Sequence, residues 1–288
     1  MENVLKHIEK VLPNLSKGQK KIAGYILTQY DKAAFMTASR LGKEVGVSES
    51  TVVRFANVLG YEGFPELQSA LGEIIKTRLT SLQRIEITSD KMANEDILSK
   101  VISSDISKLK NTLEQIDKED FDRAVETILK AEKIYILGVR SASAISSFIG
   151  FYFNLMFDNV RLVHTTSVSE MFEQILRVKE KDVVLGVSFP RYSRRTIKAL
   201  QYAKSRGADV ISITDNAQSP LAACSDISLF AKSDMVSFVD SLVAPMSLVN
   251  ALLVALGMRK KEEISKTFDT LEEIWDEYHV YDKERYDE

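Results

Sequence analysis

The densest cluster of chemically capable side chains lies in Ser188-Phe-Pro-Arg-Tyr-Ser-Arg-Arg-Thr196. Arg191, Arg194 and Arg195 fall within five residues, with Ser188, Ser193 and Thr196 around them. Guanidinium forks match phosphate or carboxylate oxygens, and hydroxyls add further donors. An apolar run precedes the cluster and an amphipathic stretch follows it, so the arginines sit where a strand hands over to a helix. The free amides and positive end of that helix favour an anion. The simpler alternative is capping serines and solvated arginines; the arginine density outweighs it. A second strand-to-helix junction, ILGVRSASAIS, places Ser141 and Ser143 in the same position. For those two serines alone, capping and anion binding stand level.

A different chemistry is written into residues 37–61, TASRLGKEVGVSESTVVRFANVLGY. Thr37 is placed to cap a short helix ending near Glu44. Val45-Gly46-Val47 makes a tight turn, for which glycine supplies the backbone freedom. Ser48 caps the next helix by accepting a free amide, and Gly60 stands where that helix ends in left-handed backbone. Leu41, Val45 and Val47 are expected to pack on Val52, Phe55, Ala56 and Leu59. The opposite face carries Glu49, Ser50, Thr51, Arg54 and Asn57. Such a helix presents its first residues to base edges in the DNA major groove. Arg54 can pair with guanine or with phosphate, and Ser48, Ser50 and Thr51 can reach either. Lys17, Lys20, Lys21, Arg40 and Lys43 are expected on the phosphate backbone. A plain helical pair with a solvated face is the alternative.

Other candidates are weaker. His164 ends an apolar run, and Glu170 and Glu173 follow one helical turn apart. A histidine with a glutamate can move a proton between sugar carbons, but strand-end histidines and charged helix faces are commonly structural. No catalytic residue and no cofactor is expected. Met246, Leu248, Leu252, Leu253 and Leu256 read as a core or dimer stripe. Trp275, Tyr278 and Tyr281 are expected to pack the tail onto the body. Cys224, the single cysteine, reads as buried and inert; it excludes a disulfide framework and a cysteine-built metal site.

The elements that must position these residues are legible in the patterning. The 288 residues suggest two domains. Residues 1–78 read as helical throughout; Ile22, Ile26 and Tyr30, with Ala23 and Leu27, form one stripe behind a capping Ser16. Residues 79–92 read as a linker and residues 93–288 as the body. Two helices are expected between 93 and 131. Five apolar runs follow, at 134–139, 160–164, 183–189, 210–214 and 227–230, with amphipathic stretches between most of them. That alternation predicts βα units and a parallel sheet buried on both faces. Helices over 237–258 and 261–278 close the pattern. The charge is uneven: residues 1–78 hold 11 basic and 8 acidic side chains, a balance of +3, against −6 for the remainder. A mildly basic head on an acidic body fits a polyanion partner for the head. No run of 18 apolar residues appears and the first ten residues lack a signal-peptide core, so a cytoplasmic protein without a membrane span is expected.

With both halves in view, the chain resembles the RpiR family of bacterial transcriptional regulators. The head is similar to that family's helix-turn-helix domain around VSESTVVRFANVLGYEGFPEL (47–67). The body is similar to a sugar isomerase (SIS) domain through ILGVRSAS, VSFPRYSRRT and AKSRGADVISITDNAQSPLAACSDISLF (203–230). The resemblance implies an α/β body with a five-stranded parallel sheet flanked by helices, a dimer or tetramer, and a phosphosugar effector that alters DNA affinity. It assigns phosphate-loop roles to Ser188, Ser193 and Thr196 and a first-loop role to Ser141 and Ser143, with Arg191 beside them. Two departures stand out. The family's Ser-x-Ser-Gly-x-Thr loop is longer here and lacks its glycine, and the first loop lacks the second glycine of Gly-x-Gly-x-Ser, with Arg140 nearby. The enlarged basic loop then holds either a different anion or phosphate through side chains instead of backbone.

Together these readings predict a sensor-coupled binder of double-stranded DNA, with paired bodies setting two heads on an inverted repeat. Its expected genes are those of carbohydrate metabolism. The alternatives are a phosphosugar isomerase with an accessory helical domain and a constitutive DNA-binding protein with a vestigial pocket.

Overall fold

The computed structural model describes residues 4–78, 80, 82–85, 96–165, 167–233 and 239–281. The chain divides into two compact units, Met1–Ala93 and Asn94–Glu288. Most of the expected 79–92 linker lies outside the described residues; within it, residues 82–85 are helical.

The first unit contains α1 (Val4–Val11), α2 (Lys17–Ala33), α3 (Ala38–Val45), α4 (Glu49–Val58) and α5 (Phe64–Arg78). Ser16 opens α2 with a reciprocal capping box: its hydroxyl accepts the Gln19 amide and the Gln19 side chain accepts the Ser16 amide. Ile22, Ala23 and Ile26 are fully buried, as are Ile8, Leu41, Val52, Phe55, Leu67 and Leu71 on the helices that α2 touches. The stripe stops short of its expected end, because Gln29 leaves helical backbone. Just before it, the Thr28 hydroxyl donates back to the Gly24 carbonyl at 2.9 Å, a bond that bends helices.

The second unit opens with α6 (Ile97–Gln115) and α7 (Lys118–Leu129), capped by the Asp96 and Asp117 carboxylates. The expected first three residues of α6, 93–95, lie outside the described residues. The body then alternates: β1 (Lys133–Gly138), α8 (Ala142–Met156), β2 (Val160–Val163), α9 (Val168–Ile175), β3 (Asp182–Val187), α10 (Arg194–Ser205), β4 (Asp209–Thr214), β5 (Ile227–Phe230), α11 (Val243–Arg259) and α12 (Lys261–Glu277). All five apolar runs are strands. They pair in parallel in the order β2-β1-β3-β4-β5.

Alternate strand residues feed opposite layers. Ile134, Ile136, Val183, Leu185, Ile211 and Ile213 pack with α7, α8 and α11 on one face. Tyr135, Leu137, Val184 and Val210 pack with α9 and α10 on the other. Burial on both faces explains why the strands read as continuous apolar runs. Leu248, Leu252, Leu253 and Leu256 of α11 are buried in the first layer, with Met246 beside them, which settles that stripe as core.

Two expectations need correction. The helix expected over 237–258 begins at Val243. Residues 237 and 238 lie outside the described residues, and Ser241 is held out of the helix: its hydroxyl donates to Asp105 of α6 at 2.7 Å and its carbonyl accepts from Ser233. The tail aromatics do not bury against the body either. α12 has no buried residue, and Trp275 instead meets the Tyr281 ring edge-on at 5.2 Å while Tyr278 is exposed. Among the described residues, no single helix is long and apolar enough to cross a membrane.

Candidate functional site

Two sites emerge, one in each unit. In the head, Thr37 accepts the Arg40 amide at 3.2 Å and starts α3, and Gly46 ends it in left-handed backbone (φ 70°). The Ser48 hydroxyl accepts the Thr51 amide at 3.3 Å and starts α4. Leu41, Val52, Phe55 and Ala56 are fully buried between the two helices, with Leu59 nearly so; Val45 and Val47 are half-buried. The sequence reading missed Gly42. A Cβ there would stand 2.9 Å from the Val47 carbonyl oxygen, so this glycine lets the turn close over α3. A glycine inside a helical pattern was the signal.

The exposed face carries most of the expected residues: Lys17, Lys20, Lys21, Arg40, Lys43, Ser48, Ser50, Arg54 and Asn57 all face solvent. Among the described residues, none of Lys17, Lys21, Arg40 and Lys43 is paired with a carboxylate. Three are less available than expected. Ser48 is bound up in its cap and in contacts with the Ser50 and Thr51 hydroxyls at 3.0 and 2.8 Å. Thr51 is half-buried, its methyl turned toward Gly18 of α2. The Asn57 amide, with its nitrogen toward the next turn, donates to the Tyr61 and Glu62 carbonyls at 3.1 and 3.2 Å. Arg54 lies along the start of α4, its Nε donating to the Ser50 carbonyl at 3.2 Å.

In the body, β1 and β3 are neighbours, while the chain passes through β2 on the far side of β1 between them. Consecutive crossovers therefore diverge at β1/β3, which opens a crevice beyond the strands' carboxyl ends. An open cleft of about 600 Å³ lies at that place. Its wall is formed by Gly138 at the end of β1, Val139, Arg140 and Ser143 after it, His164 and Thr165 after β2, and residues 191–195 after β3. Among the described residues, four arginines and a histidine line it, and no carboxylate does. A smaller recess beside it is bordered by Ser141, Ser188, Arg191, Ser193 and Asp240.

The two arginine loops share an unusual backbone. Arg140 (φ 60°) and Arg191 (φ 65°) both adopt left-handed conformation, which costs a side-chain-bearing residue about 1–2 kcal/mol. Each of these loops lacks a glycine of the resembling family's pattern. The left-handed turn at Arg140 brings its carbonyl back onto Ser143, whose amide and hydroxyl donate to it at 3.0 and 2.6 Å. In the other loop, Ser188 Oγ accepts the Ser193 amide at 3.1 Å and Ser193 Oγ accepts the Thr196 amide at 3.3 Å.

The structure brings Ser143, Arg191 and Ser193 to the cleft and Ser141 and Ser188 to the adjoining recess. It does not bring Thr196 there: Thr196 is fully buried, and its hydroxyl has no hydrogen-bond partner. The sequence reading missed Asp215. This buried carboxylate follows β4, accepts the Tyr192 hydroxyl at 2.7 Å, and so anchors the arginine loop from the next strand. The Thr-Asp pair ending an apolar run was the available signal. His164 lies on the cleft wall, but neither Glu170 nor Glu173 does; they accept from the Thr165 and Ser169 hydroxyls. Cys224 is buried, its thiol donating to the Leu221 carbonyl, and burial raises its pKa above the usual thiol range.

Comparison with known proteins agrees with this geometry unit by unit. Residues 2–78 match the helix-turn-helix domain of the rpiR family, and residues 127–255 match the SIS domain. Both domains of an RpiR-type regulator are present, in order. The chain is a transcriptional regulator of RpiR type whose second unit is a SIS domain. An uncharacterized HTH-type transcriptional regulator of Caldanaerobacter subterraneus is 25% identical over 95% of this chain and 97% of its own length. The regulator HexR of Pseudomonas aeruginosa is 26% identical over 90% of this chain and 91% of its own. Among solved structures, the sugar isomerase domain of an RpiR transcription factor from Sphaerobacter thermophilus superposes with a TM-score of 0.59 at 26% identity, covering 62% of this chain and 99% of that one. The NanR protein of Vibrio vulnificus, solved with ManNAc-6P, shares the fold over 94% of this chain and 98% of its own, with a TM-score of 0.58 at 23% identity.

Proposed function

We propose that this RpiR-type regulator binds operator DNA through the exposed face of α4, under control of a phosphosugar-type anion held in the SIS cleft. Its targets are genes of carbohydrate metabolism, and it works in the cytoplasm. The observation that carries the effector half is the cleft at the β1/β3 divergence, where four arginines line the wall. The solved complex of NanR with ManNAc-6P supports a phosphosugar as the class of ligand. The head supports the DNA half by presenting Arg54 and Ser50 at the start of a capped helix, with Lys17, Lys21, Arg40 and Lys43 around it. A ligand shifts DNA affinity only by binding two arrangements of the protein unequally.

The active form is a homodimer or homotetramer on an inverted repeat. Its support is the apolar surface left on the SIS unit: Leu113 of α6, Phe151 of α8 and Val254 and Met258 of α11 are well exposed. Exposed apolar patches of this kind mark interaction surfaces.

Fluorescence anisotropy with DNA from upstream of the chain's own gene tests the first part. Arg54→Ala should weaken the specific site by about 1–3 kcal/mol and leave non-specific binding in place. Binding that ignores sequence and is unchanged by Arg54→Ala would sink the proposal.

An isomerase is the second reading, favoured by His164 on the cleft wall. We propose instead that the protein is not an enzyme. Its support is that relatives matching along most of their length are named as transcriptional regulators. Turnover of a ketose or aldose phosphate, lost in His164→Ala, would establish the isomerase.

A further inference from the structure

We propose that Val53 reads the 5-methyl group of a thymine in the DNA major groove, so that the operator half-site carries a thymine as well as the base taken by Arg54. This rests on the DNA-binding reading of α4 and adds a specificity-determining residue to it. The first support is position. A helix turns by about 100° per residue, so residues three and four apart share a face. Val53 therefore lies beside Glu49, Ser50, Arg54 and Asn57, all of them exposed. The core side of α4 is formed by Val52, Phe55 and Ala56, each fully buried. Val53 stands outside that core and is 36% exposed. A lone exposed valine is ordinary on a protein surface; this one lies among the polar groups of the face turned to the groove.

The second support is what those polar groups already do. The Ser50 hydroxyl stands 3.0 Å from that of Ser48, and the Asn57 amide donates to the Tyr61 and Glu62 carbonyls at 3.1 and 3.2 Å. Arg54 Nε donates to the Ser50 carbonyl at 3.2 Å, which lays the guanidinium along the first turn of α4. These bonds draw the neighbouring polar groups onto the helix, while the Val53 methyls have no such tie. The third support is the chemistry of the groove. Thymine presents a methyl group there, where the other three bases present only hydrogen-bonding edges. An apolar side chain gains by covering that methyl and loses by covering an unpaired donor or acceptor. Val53 thus favours thymine and penalises the cytosine amine.

The test is fluorescence anisotropy of the full chain with DNA from upstream of its own gene, made once with thymine and once with uracil in its place. Uracil pairs as thymine does and lacks only the methyl group. The wild-type chain should bind the uracil DNA about fourfold or more weakly, the scale of one buried methyl. Val53→Ala and Val53→Thr should each weaken binding to the thymine DNA and bring the ratio of the two affinities toward unity. Val53→Thr keeps the side-chain shape, so a folding defect seen by circular dichroism in the alanine variant leaves the threonine variant to report. Val58→Ala, also exposed but near the C-terminal end of α4, should keep the wild-type ratio. Equal binding of both DNAs by the wild-type chain overturns the proposal and leaves the DNA-binding reading standing. A ratio that survives in the Val53 variants overturns the assignment to Val53. Binding that ignores sequence altogether overturns both readings.

Discussion

Arg140 puts the conflict between folding and recognition into a single residue. Its left-handed backbone suits glycine, yet its side chain belongs to the cleft. Arg140→Gly relieves the torsional cost but loosens the unfolded chain, so stability should hold or rise by up to about 1 kcal/mol in thermal melts. Binding of sugar phosphates should fall in the same variant. A drop in melting temperature would show that Arg140 is held by packing and not by function. Cys224 offers a contrast. Burial favours its neutral thiol, so the folded state keeps its proton to higher pH than the unfolded chain does. Stability from this group is present at neutral pH and is lost as pH rises above the ordinary thiol range. A thiol reagent at pH 8 should label it only as fast as the SIS unit opens, and rapid labelling of the native protein would contradict its burial. The caps at Ser16, Thr37 and Ser48 were legible because capping is local chemistry; Ser193, read as an anion ligand, caps its helix as well. The left-handed arginines were not, since residue type alone points to glycine for such backbone.

At the scale of elements, the turn between α3 and α4 depends on close contact more than on flexibility. Gly42 lies inside α3, where its missing side chain admits the Val47 carbonyl. Gly42→Ala should push the helices apart and cost about 1–3 kcal/mol, and DNA affinity should fall with it because α4 loses its seat. Urea melts of the full chain, paired with anisotropy, would check both effects. Unchanged stability and unchanged DNA binding would show that the turn can yield. The sequence pattern resolved all five strands, since a strand buried on both faces must be apolar throughout. It overran the start of α11, because the tie from Ser241 to Asp105 links residues far apart in the chain. It also gave the tail aromatics a burial that α12 does not provide.

For the whole molecule, the uneven charge becomes a measurable slope. Lys17, Lys20, Lys21, Arg40 and Lys43 are exposed on a head of net positive charge. If about five phosphates are neutralised per head, log K for DNA should fall with log salt at a slope near −4.5 per head. Lys21→Ala should reduce that slope by about 1 without changing the preferred sequence. A slope near zero would place the DNA contacts elsewhere. The cleft itself was only half legible. The two loops could be named from residue type, but their meeting depends on β1 lying beside β3, which chain order does not reveal. Asp215 went unread for the same reason, because it acts across strands on Tyr192.

Every arginine codon is a single base change from a glycine codon. Random mutation therefore keeps offering positions 140 and 191 the residue that their torsion angles prefer. In a mutagenised population selected only for protein abundance, glycine should accumulate at both positions. In one selected for metabolite-responsive transcription it should be purged. The gap between those two frequencies would measure how far the cell relies on these guanidinium groups.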